Sequence, residues 1–300
     1  MDALARTDVD LVSVGRRVIL PSSHLSSARF IGQCLQDSMT IVRQYDRPSL
    51  FITFTANPEW DDISHELPPG QRPTDRPDLV AQVFHMKLKH LLHDLKKKHS
   101  FGRYRSSLWT IEYQKGGLPH MHLLLFLYPY DRDRLLDPAV VNRFVCAELP
   151  RPEDDPDGVL TNIVKRMMVH GPCGPHNPQA RCMVNKAAGH PPECSKRFPK
   201  WFSPVTVVHE DGYPEYRCRD NLRSILVPGR NGETVGLDNR WIVPYNPYLS
   251  RKYRAHINVE VCGSVQSVKY IQKYIYKGND HATARVGSDE DEISQLYRPV

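Results

Sequence analysis

Residues 107–128, SLWTIEYQKGGLPHMHLLLFLY, decide how the chain is read. SLWTIEYQ (107–114) and HMHLLLFLY (120–128) are rich in aliphatic, aromatic and β-branched residues, and the five residues KGGLP join them. Two such runs with a short glycine-containing link predict a β-hairpin. Successive side chains of a strand point to opposite faces, so His120 and His122 share one face while Met121, Leu123, Leu125 and Leu127 line the other. Two neutral imidazoles on one face make a ready divalent-metal site. The partner strand offers a third ligand. With Gln114 paired to His120, Glu112 falls opposite His122, roughly 5 Å away at Cβ. Glu112, His120 and His122 could bind one ion, with Gln114 as a fourth ligand or as a substitute for Glu112, because a bulge in the turn would shift the register. An H-x-H triplet alone is a weak signal; the acid eight positions upstream strengthens it.

Working outward, SLFITFT (49–55) is a buried strand ended by Asn57-Pro58. Residues 23–45 have helical character, with Ser22 or Ser23 placed to cap them. Residues 62–77 are rich in Pro, Gly and Asp and are expected to form a loop. Residues 78–99 have helical apolar spacing at Val80, Val83, Phe84, Leu88, Leu91, Leu92 and Leu95. Downstream, 149–158 is a Pro- and acid-rich linker, 170–198 carries a Cys/His cluster, and FSPVTVVHE and YPEYRCRD are short β-like stretches. HINVEVC (256–262) is a further strand. The order predicts an α+β fold, a central antiparallel sheet with helices packed on it, interrupted by an insertion. The expected division is 1–148 for the first part of the main domain, 149–255 for the insertion, 256–280 for its completion, and 281–300 for a polar tail that stops as if truncated.

SVQSVKYIQKYIYKG (264–278) follows the last strand and predicts a helix closed by Gly278. Val265, Val268, Ile271 and Ile275 form its apolar stripe. Tyr270 and Tyr274, four apart, share a different face, with Lys273 and Lys277 beside them. A phenol with a pKa of about 10 is a poor nucleophile unless its target is polarised, which a metal nearby would supply.

His170, Cys173, Cys182 and Cys194 are spaced H-x2-C-x8-C-x11-C in a segment poor in apolar residues. Four N/S ligands suit structural Zn2+, and the ion would replace a missing core. His176 and His190 are alternates.

The chain has 300 residues, 40% hydrophobic and 25% charged, and a net charge of +6. That composition fits a globular chain with a mild basic bias, which permits a polyanionic partner without proving one. No signal peptide or bilayer-length apolar run is visible, so an intracellular chain with reduced cysteines and no membrane partner is expected. No GxxxxGK[ST] loop occurs, so no ATPase is expected in this chain.

The strand FITFT, the spacing E-x7-H-x-H ending in GLPHMH, and Y-x3-Y on a helix together resemble the HUH superfamily of replication initiators, relaxases and transposases. Longer stretches resemble one branch, the Helitron-type Rep region, or Helitron helicase-like N-terminal domain: ILPSSHLSSARF, SLFITFTANPEW, WTIEYQKGGLPHMHLLLF, VHGPCG…CM…CSKRFPKWF, VPYNPYLSRKY and INVEVCGSVQSVKYIQKYIYKG. The resemblance spans roughly residues 17–280. It implies an HUH/Rep-like fold with His120 and His122 as ligands of Mg2+ or Mn2+, Glu112 as the acidic ligand, and Tyr270 and Tyr274 as the catalytic tyrosines. The implied activity is rolling-circle nicking and joining of single-stranded DNA at transposon ends, through a 5′-phosphotyrosine and a free 3′-OH. It further implies a helicase domain in the full-length protein and a nuclear location. Single-stranded DNA calls for cations and stacking surfaces, and Lys115, Lys273 and Lys277 are the candidates nearest the site.

Overall fold

The computed structural model describes residues 21–24, 27–114, 117–185, 191–209, 214–229 and 232–263. Lys115, His190 and the segment holding Tyr270, Lys273, Tyr274 and Lys277 lie outside the described residues.

The first helix, α1 (Ala28–Tyr45), begins later than the sequence predicts. Ser27 caps it, rather than Ser22 or Ser23: its Oγ accepts the Phe30 N–H at 3.1 Å and donates to the Pro21 carbonyl at 2.9 Å. Ser22 and Ser23 are instead taken up by a turn closed from His24 N–H to Pro21 O. Strand β1 (Leu50–Thr55) follows as expected. The expected loop at 62–77 contains most of a one-turn helix, α2 (Asp61–Ser64), and a 3-10 turn at Pro73–Asp75. Then α3 (Pro77–Lys97) runs for 21 residues, with proline at its first position, where no N–H is missed.

The hairpin strands are β2 (Tyr104–Tyr113) and β3 (Pro119–Leu127). Short helices α4 (Pro129–Asp133) and α5 (Pro138–Phe144) lead to residues 149–255, which hold α6 (Val159–Met167), the pairs β4 (Met183–Val184) with β5 (Glu193–Cys194) and β6 (Ile225–Pro228) with β7 (Thr234–Leu237), and α7 (Pro247–Tyr253). The described residues of FSPVTVVHE and YPEYRCRD form no named strand; they meet through the isolated bridges Ser203–Cys218 and Val207–Glu215 and through the Arg217 N–H, which donates to Thr206 Oγ1 at 3.0 Å. The final described strand is β8 (Ile257–Val261). The expected linker at 149–158 is anchored: buried Asp155 accepts the N–H groups of Leu160 and Thr161 and so caps α6. Among the described residues no helix is long and apolar enough to cross a membrane.

The main sheet has the order β2-β3-β1-β8, every neighbouring pair antiparallel. The fold is therefore α+β, with an antiparallel sheet and packed helices. One sheet face meets α3. Leu50, Ile52, Phe54, Met121, Leu123, Leu125, Ile257, Val259 and Val261 pack there against Val80, Val83, Phe84, Leu88, Leu91 and Leu95. This is the stripe that the spacing of α3 encodes. Phe54 stacks on Phe84 at 5.1 Å and meets the edge of Tyr253 at 6.0 Å. The opposite face carries a smaller cluster, Phe51, Leu124, Phe126 and Cys262 against Val42, with Met39, Ile41 and Tyr45 of α1 beside it. So β3 is buried on both faces along its whole length, although the alternation of His120 and His122 with the leucines is as expected.

The hairpin register differs from the expected one. Glu112 pairs with His120 and Thr110 with His122. Gln114 N–H bonds to Leu118 O, so Leu118 and Pro119 belong to the ladder and the turn is shorter than KGGLP. Gly117, at φ +78°, supplies the left-handed residue the tight reversal needs. The slip is two residues, and a two-residue slip keeps every side chain on its face.

Candidate metal centre

β3 lies between two neighbours and cannot shift without breaking two ladders, so His120 and His122 sit on a rigid element. Both are buried. Their rings meet edge-on with centroids 4.5 Å apart, and His122 stacks on Phe51 at 5.9 Å. Although Glu112 pairs with His120, its carboxylate reaches diagonally, and Oε1 lies 3.2 Å from Nε2 of His122. A diagonal neighbour lies within reach of a long side chain. One ligand atom from each of Glu112, His120 and His122 can be chosen so that all three lie within 4.8 Å of one another. Gln114 stands two residues beyond Glu112, exposed at the mouth of the turn and level with Leu118 rather than His120.

Strand β1 adds a residue that sequence reasoning did not single out. Thr55 pairs with His120, and its Oγ1 lies 2.6 Å from His120 Nδ1. With Nδ1 engaged, Nε2 is the nitrogen left to face an ion, an outer-shell arrangement that orients a ligand. Burial above all, then the nearby His122 and His256, hold the His120 imidazole down to about 3, so it is neutral with a lone pair available. His256, at the start of β8, is likewise pushed down by burial, and its Nδ1 lies 2.7 Å from the Met167 carbonyl. Neither Thr55 nor His256 is visible as a site residue until β1 is known to pair with both β3 and β8. A donor set of two imidazole nitrogens and a carboxylate oxygen suits a divalent ion of intermediate hardness such as Mn2+.

The aromatic residues Trp109 and Tyr113 alternate with Glu112 along β2 and project from the other face of the strand. Cations between residues 87 and 103 are in ion pairs, Lys87 with Asp62 at 2.7 Å, Lys98 with Asp94 at 2.9 Å and Arg103 with Asp131 at 2.9 Å.

A second group forms between residues 170 and 194. One ligand atom from each of His170, Cys173, Cys182 and Cys194 falls within 4.8 Å of all the others. His176 lies instead near Trp241, the ring centroids 5.9 Å apart.

No curated protein matches the chain. Residues 1–125 match the family described as "Helitron helicase-like domain at N-terminus". The matched region takes in α1, β1, α3, β2 and β3 as far as Leu125, and so contains Glu112, His120 and His122. The Cys/His group and the tyrosine segment lie beyond it. The part of the chain that builds the hairpin and its Glu-His-His group is thus similar to the Helitron helicase-like N-terminal domain.

Proposed function

We propose that this chain is the DNA nicking and joining part of a Helitron-type protein, an HUH enzyme with a tyrosine nucleophile acting on single-stranded DNA. The observation that carries the reading is the convergence of Glu112, His120 and His122 on one face of the central sheet. A divalent ion held there, Mg2+ or Mn2+, would polarise a phosphate and orient it for attack. His120 is fixed for that task by Thr55, and His122 by Phe51 and Glu112.

Tyr270 or Tyr274 is the proposed nucleophile. Its phenolic oxygen forms a bond to phosphorus as the bond from phosphorus to the 3′ oxygen breaks. The phenolic proton is released, the leaving oxygen takes up a proton, and the 5′ phosphate stays on tyrosine. The ester conserves the linkage, so a 3′-OH can later reverse the step and join strands. Two tyrosines allow one end to be held while another is cut.

The reach of the chain is compatible with this reading. Val261 of β8 and Leu125 of β3 are both level with Leu50 of β1. From there His122 and His120 lie three and five residues along β3, about 10 and 16 Å at strand rise. Tyr270 and Tyr274 follow Gly263 by seven and eleven residues, about 10 and 16 Å if helical as the spacing predicts.

The test is incubation with a labelled single-stranded oligonucleotide and Mn2+ or Mg2+. A protein–DNA adduct that survives SDS, and is lost in Tyr270→Phe/Tyr274→Phe, is expected. Salt-sensitive DNA binding with no adduct would instead identify a catalytically silent DNA-binding remnant.

A further inference from the structure

Among the described residues of 170–200 there is little regular structure. Their only named strands are β4 and β5, two residues each, paired Met183 with Cys194 and Val184 with Glu193. The apolar cluster beneath is small: Cys173 and Cys194 themselves, with Val227, Leu237 and Trp241. Two of its five buried members are cysteines that also belong to the His170 group. Small units with so little apolar core usually rely on a disulfide, a metal or a partner, and the described cysteines form no disulfide.

We infer that His170, Cys173, Cys182 and Cys194 bind one Zn2+ as a closed, structural four-ligand site, and that this ion fixes residues 170–200 against the β6–β7 hairpin. The inference stands apart from the nicking chemistry. Its geometry is that of a tetrahedron. The Cys194 sulfur lies 3.5 Å from Nε2 of His170. With Zn–S near 2.3 Å and Zn–N near 2.0 Å, tetrahedral ligands stand about 3.5 Å apart. All four ligand atoms fall within 4.8 Å of one another. Three thiols and an imidazole are a soft donor set, which selects zinc over magnesium or calcium.

The surroundings position the ligands. The His170 ring stacks flat on Phe198, centroids 4.2 Å apart and 8° from parallel. Its backbone N–H bonds to Trp241 O at 2.8 Å, which ties the first ligand to the turn after β7. Ser195 N–H bonds to Cys182 O at 2.7 Å and Arg197 N–H to Cys194 O at 2.8 Å, so the second and last thiols share one backbone frame. Cys173 and Cys194 are buried. With four protein ligands the ion has no open position, which marks a structural site. The site also sets where the next residues go. The ammonium of Lys200, four residues after Lys196, donates back to the Lys196 carbonyl at 2.9 Å and lies over the Phe198 ring.

The test is the metal content of purified protein after dialysis, measured by mass spectrometry on wild type, on His120→Ala/His122→Ala and on Cys173→Ser/Cys194→Ser. One zinc per chain is expected in the first two and none in the third. Should the cysteine variant fail to fold, Co2+ exchanged into the wild type decides. Thiolate-to-cobalt charge transfer with tetrahedral d–d bands is the expected spectrum. Zinc that is absent from the wild type, or that leaves with the histidine pair on β3, overturns the assignment. So does a Co2+ spectrum without thiolate bands.

Discussion

Thr55 Oγ1 on β1 stands 2.6 Å from His120 Nδ1 on the neighbouring β3, so a hydroxyl from one strand sets the orientation of an imidazole on the next. If that contact orients a metal ligand, Thr55→Val should weaken Mn2+ binding by about 10- to 100-fold. Thr55→Ser should restore it, because the hydroxyl is kept and only a methyl is lost. Titration with Mn2+ followed by electron paramagnetic resonance gives the readout. Equal affinity in wild type and Thr55→Val would mean that the hydroxyl has no part in the site.

Glu112 and Gln114 are separated by the observed register. Glu112 reaches His122 at 3.2 Å, whereas Gln114 sits exposed at the turn. Glu112→Gln is expected to reduce Mn2+ affinity at least 10-fold, since losing a carboxylate that binds the ion directly costs no less than losing a group behind a ligand, and Gln114→Ala to leave it within about 2-fold. The reverse pattern would show that the hairpin pairs in the other register in solution.

Asp94 tests the packing that supports the sheet. Its carboxylate is buried on α3, accepts the Tyr253 hydroxyl at 2.7 Å, and is paired with Lys252 of α7 and with Lys98. Burial pushes its pKa up, but the hydrogen bonds from Lys252, Tyr253 and Lys98 outweigh burial and hold it at about 2, against 3.8 ordinarily. A carboxylate depressed in the folded state binds fewer protons there than in the unfolded chain. Its contribution is therefore complete above about pH 4 and is lost as the pH falls toward 2, a change of about 2 kcal/mol. Asp94→Asn should remove that acid-dependent component in urea unfolding measured between pH 5 and 2. An unchanged acid limb would rule it out.

Phe54 anchors the shared core between Phe84, Trp60 and Tyr253. Phe54→Ala is expected to cost about 3–5 kcal/mol in the same unfolding measurement, through lost burial and the cavity left behind. A loss under 1 kcal/mol would mean the site collapses freely.

How much of this was legible beforehand follows from the physics of each element. The period-2 run of β3 and the 3.6-period run of α3 are local patterns, and both stand where the sequence puts them. The shared face of His120 and His122 follows from strand parity alone. Register does not, because it depended on whether Leu118 and Pro119 extend the ladder, which only the turn geometry decides. Thr55 and His256 come near His120 through pairing across the sheet, a non-local fact no single strand encodes. Helices α6 and α7, of nine and seven residues, are too short for periodicity to be distinct, and are set by the caps Asp155 and Asn246. The Cys/His group was legible as spacing because metal ligands are few and chemically distinct.

On the proposed function, a tyrosine of the 264–278 segment attacks a phosphate held at the Glu112-His120-His122 group. The most direct measurement is peptide mass spectrometry after reaction with a single-stranded oligonucleotide and Mn2+. A nucleotide joined to the peptide containing Tyr270 and Tyr274, absent when His120 and His122 are both alanine, is the expected result. A nucleotide found on another residue, or one formed equally without the two histidines, would contradict the account.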